Sequence, residues 1–352
     1  MIRRPPRSTL DRSSAASDVY KRQALEGGVG ALAVASGQAA SAYAIQNIAK
    51  KGDNIVASSH LYGGTYNQFK NPMSDMGIEV RFVDPADPNN FAEATDENTR
   101  AYYGEVLPNP SFEVFPISEV AEIGRPLGIP LIVDNTAAPV ICKPFDHGAA
   151  VLIHSTTKFI GGHGTSIGGI IVDSGNFDWE AFPERQPALN TPDPSYGGAV
   201  WTEAVKPLGP IAYILKARTT ILRDMGAAMS PFNAFMFIQG LETLALRMRE
   251  HSANAEVIAK YLSEIKNFIR NKKWVKLTDS GIFYLSGRTC RDLASAYQSW
   301  LFESKIPDNI LAELSARSLA KIGNFDSLKT VSYTHLRAHE TVLDLVCRLL
   351  LE

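Results

Sequence analysis

The sequence has few cysteines, almost no net charge and no long apolar run. Its 352 residues include only three cysteines, Cys142, Cys290 and Cys347, which are too scattered for a disulfide framework or a four-ligand zinc site. This scarcity favours a reducing, cytoplasmic setting. The formal charge of −2 offers no basic excess to attract nucleic acid or an anionic membrane. Because no stretch of about 18 apolar residues occurs, we expect no membrane-spanning helix.

Between residues 24 and 264 the chain alternates short β-rich runs with segments of helical spacing, which indicates an α/β fold. Several of the runs are apolar on both faces, as buried parallel strands are. The proline-rich stretch 183–210 predicts a long ordered loop. The predicted strands cover residues 54–58, 79–83, 100–104, 130–134, 151–155 and 168–173, and the predicted helices cover 37–50, 66–76, 117–127, 211–228 and 232–264.

The segment 151–169, VLIHSTTKFIGGHGTSIGG, carries the most chemical information. Lys158 directly follows a predicted strand, and open α/β sheets place ligands at the carboxyl ends of their strands. Ser155 and Thr157 alternate to one side and offer hydroxyl groups to a phosphate. A lysine in this position can form a Schiff base with a carbonyl compound. Taken alone, however, a lysine after a strand is more often an exposed surface charge.

Two further loops point to the same chemistry. Gly37 and Gln38 open a predicted helix, whose N-terminus offers N–H groups and a partial positive charge to a phosphate. Simple capping of this helix by Ser36 is the alternative. Asp134 ends the predicted strand 130–134, where a carboxylate needs a cation or water. A protonated pyridine nitrogen would meet that need, whereas capping of a following helix is the alternative role.

Seven stretches, in the same order along the chain, connect this sequence to a known family. They read ALEGGVGALAVASGQAA, LYGGTYNQF, NPSFEVFPI, PLIVDNTAAPVICKPFDHGA, HSTTKFIGGHGTSIGGIIVDSG, TPDPSYGG and SPFNAFMFIQGLETLALRMREHSANA. Through them, residues 24–264 resemble the Cys/Met-metabolism family of pyridoxal-phosphate enzymes, the cystathionine γ-synthase-like branch of the aspartate aminotransferase fold. The resemblance implies a fold type I large domain, with a mostly parallel sheet between helices, and pyridoxal 5′-phosphate as the cofactor.

The resemblance also implies roles for individual residues. It makes Lys158 the Schiff-base lysine and proton shuttle, Asp134 the partner of the pyridine nitrogen, and Tyr62 a ring-stacking residue that assists proton transfer. Glu105 matches a family glutamate to which the resemblance assigns no role. Further cofactor contacts are expected from the backbone of Gly37 and Gln38, the hydroxyls of Ser155 and Thr157, the side chain of Asn109 and, less directly, Thr136.

The reaction implied for this branch of the family is a γ-replacement. In it, O-acetyl-L-homoserine reacts with sulfide or a thiol to give L-homocysteine and acetate. The stretches 190–198 and 230–250 favour this sulfhydrylation, while a cystathionine synthase or γ-lyase of the same family and a non-catalytic fragment stay open as alternatives. The resemblance further implies a homo-oligomer built from dimers that share active sites and often form tetramers.

Two histidines and a glycine-rich loop offer competing interpretations. His163 lies in the loop after Lys158, yet we expect a structural role for it because Lys158 already moves the proton. His154 precedes Ser155 on the predicted strand and therefore faces the opposite side, where we expect it to be packed. The glycines of GGHGTSIGG follow a lysine and lead into a strand, which is the wrong order for a nicotinamide-binding loop.

The two ends of the sequence do not resemble the family. Residues 1–23 and 331–352 resemble translated sequencing-adapter read-through, with a disordered arm and an amphipathic helix as the alternative. Residues 265–330 stay unassigned, and neither the family's Tyr-x-Arg segment nor its substrate-binding C-terminal arginine is recognisable. We therefore expect the cofactor-binding domain to cover residues 24–264 and the activity of this chain to be very low or absent.

Overall fold

The computed structural model describes residues 25–109 and 111–270, with side chains up to residue 260 except that of residue 258. The chain divides into two compact units, Met1–His251 and Ser252–Glu352. The first unit contains the sheet and the residues predicted for the site. Of the second unit, the described residues include only the last part of one long helix. The predicted segments 1–23 and 331–352, and most of 265–330, lie outside the described residues, so these predicted boundaries stay predictions.

A seven-stranded sheet forms the centre of the first unit. Its strands are β1 Gly30–Val34, β2 Asn54–Ser58, β3 Glu79–Val83, β4 Thr99–Glu105, β5 Leu131–Asp134, β6 Val151–Ser155 and β7 Gly169–Asp173. They follow the order β1-β7-β6-β5-β4-β2-β3. The neighbours from β6 to β3 are parallel, whereas β7 is antiparallel to both β1 and β6. This mostly parallel sheet confirms the predicted α/β fold.

Helices accompany the strands along the chain. They are α1 Gly37–Gln46, α2 Gly63–Gln68, α3 Asn89–Glu93, α4 Ile117–Gly124, α5 Pro187–Asn190, α6 Trp201–Ala204, α7 Ala212–Lys216, α8 Arg223–Met225 and α9 Pro231–Arg270. π-Helical turns at Phe69–Met73 and Ala217–Leu222 extend α2 and join α7 to α8. The predicted loop 183–210 contains short helices instead of purely irregular chain, and α5 begins with a proline, whose fixed φ suits the first helical turn.

Alternation along three central strands decides which side chains reach the site. Tyr103 on β4, Ile132 on β5 and Ile153 on β6 belong to one buried cluster that also contains residues of α1. Side chains two positions apart on a strand share a face of the sheet. Two positions further along these strands, at their carboxyl ends, are the polar residues Glu105, Asp134 and Ser155. The fold therefore gathers three polar groups at one edge of the buried face.

Candidate active site

The N-terminus of helix α1 lies against the end of strand β6. Ser36 caps the helix, because its Oγ accepts a hydrogen bond of 3.0 Å from the N–H of Ala39. A Cβ added to Gly37 would lie 2.6 Å from the Cβ of Ser155, so only glycine allows this approach. The first N–H groups of a helix have no acceptor within the helix. Gly37, Gln38 and Ser155 together therefore form a set of donors suited to a phosphate.

We call the donor set of Gly37, Gln38 and Ser155 the phosphate corner. Thr157 lies beside it, and its hydroxyl hydrogen-bonds to the backbone of Gly168. Its Oγ1 donates to the carbonyl of Gly168 over 3.3 Å and accepts from the N–H of the same residue over 3.1 Å. The next residue, Gly169, pairs with Ser155 across the sheet, and an added Cβ there would lie 2.9 Å from the nitrogen of Gly37. Thr157 thus joins two sides of the phosphate corner, and its direct contact with a phosphate stays a prediction.

Lys158 begins the glycine-rich turn that follows β6. Its N–H donates to the carbonyl of Ser155 over 3.2 Å, and its own carbonyl accepts from the N–H of Gly162 over 2.8 Å. The residue is half-buried. These backbone bonds fix the start of the Lys158 side chain at the carboxyl end of β6, next to the phosphate corner.

Helix α9 holds this turn through Arg247, which no sequence pattern singled out. Its guanidinium donates to the carbonyls of Phe159 and Gly240, over 2.7 Å in each case. Burial lowers the pKa of Arg247 from its usual range. The helix approaches the turn closely, because a Cβ added to Gly240 would lie 2.6 Å from the carbonyl oxygen of Gly161. The backbone around Lys158 is therefore fixed from a second side.

Asp134 ends strand β5 with its carboxylate held by Thr136. The N–H of Thr136 donates to Asp134 Oδ1 over 2.8 Å, and the Thr136 hydroxyl also bonds to this carboxylate. The same hydroxyl oxygen accepts from the N–H of Ser155 over 2.7 Å. Burial raises the pKa of Asp134, and the bonds from Thr136 oppose this rise. Asp134 keeps part of its surface open, so an incoming cation would meet an already oriented carboxylate.

Glu105 lies beside Asp134, in register on the neighbouring strand β4. Its Oε1 accepts a hydrogen bond of 2.8 Å from the N–H of Tyr62. The carboxyl group also accepts from the backbone N–H of Asn109. Burial and, secondarily, the charge of Asp134 raise the pKa of Glu105 well above its usual range. Glu105 therefore ties the start of two loops, at Tyr62 and Asn109, to the strand next to Asp134.

Contacts connect the predicted site residues, and none of them lies apart. A Cβ added to Gly64 would touch both the Tyr62 ring and the Gln38 side chain, so these two side chains lie next to the same glycine. The expected side-chain contact of Asn109 with a cofactor stays a prediction. The connected path runs from Gly37 to Ser155, Thr136, Asp134, Glu105 and Tyr62.

The two histidines occupy different environments. His154 is buried on the face of the sheet away from Ser155, as its place on the strand predicts. It is also half of an unforeseen pair, because its Nε2 lies 2.8 Å from Oε1 of Glu26 and both side chains are at most 2% exposed. His154 lowers the pKa of Asp134 by charge attraction, an effect smaller than burial. His163 Nδ1 lies 2.8 Å from the carbonyl of Gly161 within the loop, as expected for a structural residue.

The groups at this edge of the sheet fit pyridoxal phosphate. The donors near Gly37 suit its phosphate, the oriented carboxylate of Asp134 suits its ring nitrogen, and the amine of Lys158 suits its aldehyde. The close approach of Gly37 to Ser155, which any Cβ would prevent, is the clearest structural mark of such a cradle. Among the described residues, no cluster of His, Cys, Asp and Glu could hold a metal ion. None of the helices described there is both long and apolar enough to cross a membrane.

This α/β domain presents a lysine, an aspartate and a helix N-terminus at neighbouring strand ends, as expected of pyridoxal-phosphate enzymes of the aspartate aminotransferase fold. The sequence profile described as "Cys/Met metabolism PLP-dependent enzyme" matches residues 18–342. The chain belongs to this family. The family and the cofactor predicted from the sequence are thereby confirmed.

Individual relatives agree with this family. The chain is 49% identical over 243 residues to the homocysteine/cysteine synthase of Saccharomyces cerevisiae, a match that covers 68% of this chain and 54% of that protein. It is 48% identical over 256 residues to the O-acetyl-L-homoserine sulfhydrylase of Leptospira meyeri, which covers 70% of this chain and 58% of that protein. The chain therefore spans a little over half the length of these curated relatives.

Solved structures give the same result for the fold. One is a chain assigned as an O-acetylhomoserine (thiol)-lyase from Campylobacter jejuni, which carries N′-pyridoxyl-lysine-5′-monophosphate. It matches with a TM-score of 0.67 and 37% identity over 71% of this chain and 61% of that one. An O-acetylhomoserine sulfhydrylase of Wolinella succinogenes matches with a TM-score of 0.62 and 32% identity over 71% of this chain and 68% of that one.

Proposed function

We propose that the protein uses pyridoxal 5′-phosphate to convert O-acetyl-L-homoserine and sulfide, or a thiol, into L-homocysteine and acetate. The observation that carries the proposal is the meeting of Lys158, Asp134 and Gly37 at one corner of the sheet. The names of the relatives, a homocysteine/cysteine synthase and O-acetyl-L-homoserine sulfhydrylases, support this choice of substrate. When bound, the cofactor supplies an electron sink for negative charge at the substrate Cα.

The proposal assigns a role to each group of the site. Lys158 would attach the cofactor through Nζ, and the same atom, when free, would take the proton from the substrate Cα. Asp134 holds a proton on the ring nitrogen with its carboxylate, which Thr136 orients. Tyr62 would stack on the cofactor ring and assist proton transfer. The backbone N–H groups of Gly37 and Gln38 and the hydroxyls of Ser155 and Thr157 would bind the phosphate. The side chain of Asn109 would contact the oxygen on the cofactor ring.

The replacement at Cγ needs a second proton to move. Nζ releases the Cα proton before it takes one from Cβ, and acetate then leaves from Cγ. The sulfur nucleophile adds at Cγ, and Cβ and Cα each regain a proton to give the product. The Nζ of Lys158 is the proton acceptor on the turn that Arg247 fixes. Fixing this turn keeps the amine at the reacting carbons through both proton transfers.

A product assay tests the proposal. The purified chain is incubated with pyridoxal phosphate, O-acetylhomoserine and sulfide, and homocysteine, oxobutyrate and cystathionine (with cysteine added) are measured separately. Homocysteine should be the product, at a low rate, and Lys158→Arg should abolish it although the positive charge is kept. Lys143→Arg, which alters an exposed lysine, is the matched control and should leave the rate unchanged.

Other products would contradict the proposal. Oxobutyrate as the sole product would identify a γ-lyase, and cystathionine formed in preference to homocysteine would identify a cystathionine synthase. Turnover no faster than that of Lys158→Arg would support a non-catalytic fragment.

We also propose that the protein works in the cytoplasm as a homo-oligomer. The scarcity of cysteine supports a reducing compartment, and the family resemblance supports dimers that share active sites. Light scattering of the purified protein, with a monomer as the contradicting result, tests the second part.

A further inference from the structure

Helix α2 connects the two halves of the cofactor site. It begins directly after Tyr62, which is proposed to stack on the cofactor ring, and it lies against the first turn of α1. A Cβ added to Gly64 on α2 would lie 3.2 Å from Nε2 of Gln38, and this Nε2 donates to the hydroxyl of the buried Thr65 over 3.3 Å. One short helix therefore contacts both the ring side and the phosphate side of the site.

Gln68, the last residue of α2, holds the backbone of Gln38. Its Nε2 donates a hydrogen bond of 3.0 Å to the carbonyl oxygen of Gln38, which lies 30 residues earlier in the chain. That carbonyl shares a planar peptide group with the N–H of Ala39, which donates to Ser36 over 3.0 Å. This peptide group is therefore fixed at both ends, directly after the N–H groups of Gly37 and Gln38 that form part of the phosphate corner.

The side-chain amide of Gln68 is only half satisfied. Its Oε1 is buried and accepts no hydrogen bond within the described part of the chain. An unpaired buried acceptor destabilises a fold by as much as one good hydrogen bond stabilises it, or by more. Net stability therefore does not explain an amide at this position, whereas its one bond, to the first turn of α1, points to a role at the phosphate corner.

We propose that Gln68 is a positioning residue, which holds the first turn of α1 so that the N–H groups of Gly37 and Gln38 face the cofactor phosphate. A small displacement of these groups would weaken their bonds to the phosphate, because hydrogen bonds depend steeply on distance and angle. Since α2 begins directly after Tyr62, the same helix sets the phosphate donors relative to the residue that stacks on the ring. The inference deepens the proposed function and rests on it for the identity of the cofactor.

The first experiment compares pyridoxal phosphate with pyridoxal, which lacks the phosphate, as ligands of the parent and of Gln68→Met. Methionine has nearly the same length and shape as glutamine but no amide. The dissociation constant of pyridoxal phosphate, measured by absorbance titration, should rise about three- to tenfold, which is the effect of one hydrogen bond. The dissociation constant of pyridoxal should stay within about twofold, because this compound makes no phosphate contacts. A purely structural role would weaken the binding of both compounds alike and would overturn the proposal.

Asn67→Met is the matched control, since it places the same new side chain at the exposed position before Gln68. It should leave both dissociation constants unchanged. The second experiment measures urea unfolding without cofactor. The midpoint of Gln68→Met should stay close to that of the parent, because an unpaired acceptor is removed together with the donor. A midpoint far below that of the parent would show that Gln68 serves the fold, and it would also overturn the proposal.

These results separate the possible failures. A parent that prefers pyridoxal phosphate to pyridoxal, with the same preference in Gln68→Met, would overturn the inference and leave the proposed function standing. Equal affinity of the parent for the two compounds would show that the phosphate corner does not bind the phosphate, and it would overturn the inference too. A parent that binds neither compound would contradict the proposed function and, with it, the inference.

Discussion

Thr136 is the residue whose replacement tests the geometry of the site most sharply. In Thr136→Val the shape is kept, but the N–H of Ser155 loses its 2.7 Å acceptor and Asp134 loses one of its two bonds from this residue. An unsatisfied backbone donor costs about 1–3 kcal/mol, so the free energy of unfolding should fall by that amount. The pKa of Asp134 should rise, because a bond that favours its charged form is lost. Binding of pyridoxal phosphate should weaken accordingly.

Thr136→Ser is the matched control, because it keeps the hydroxyl and removes only a methyl group. Urea unfolding followed by tryptophan fluorescence gives the free energies, and titration with pyridoxal phosphate gives the affinities. The serine variant should lie close to the parent in both. If Thr136→Val were as stable as Thr136→Ser and bound the cofactor equally well, the hydroxyl would not connect Asp134 to Ser155 as described.

Three further predictions follow from buried groups and close contacts. Burial raises the pKa of Asp173 from 3.8 to about 7, so the folded chain binds a proton between these pH values that the unfolded chain has lost. The free energy of unfolding should therefore fall by about 4 kcal/mol as the pH rises through this interval. In urea unfolding at pH 4 to 7, Asp173→Asn should remove this pH dependence. Gly240→Ala should destabilise the chain by about 1–3 kcal/mol, because its Cβ would lie 2.6 Å from Gly161 O, whereas Gly63→Ala meets no atom within 4 Å and should not. Equal melting temperatures for these two variants would contradict the packing of α9 on the turn. Gly37→Ala should weaken pyridoxal phosphate binding at least about tenfold in a fluorescence titration, since its Cβ would lie 2.6 Å from the Cβ of Ser155 and force the phosphate-binding groups apart. Unchanged affinity would place the phosphate elsewhere.

The strands were predictable where burial leaves a strong local pattern. Residues 54–58, 79–83 and 151–155 form strands with the predicted bounds, because runs rich in branched apolar residues are bounded by turns. Strand β1 is missing from the prediction, since its sequence GALAV has a single β-branched residue and follows several glycines. Its place in the sheet depends on pairing with β7, which is distant in the sequence.

The centre of the site was predictable for a similar reason. Lys158, Asp134 and Gly37 each sit at the end of a strand or the start of a helix, where sequence patterns are most readable. The groups that support them were not predictable. Arg247 anchors a turn 88 residues away, and His154 pairs with Glu26 across 128 residues. Such partners depend on tertiary packing, which leaves no local periodicity in the sequence.

Covalent attachment of the cofactor to Lys158 is the central claim, and one measurement tests it directly. The purified chain is incubated with pyridoxal phosphate, reduced with borohydride, digested and analysed by mass spectrometry. The account predicts one modified peptide, with the pyridoxyl group on Lys158, and its loss in Lys158→Arg. A pyridoxyl group on another lysine, or labelling that persists unchanged in Lys158→Arg, would contradict the account.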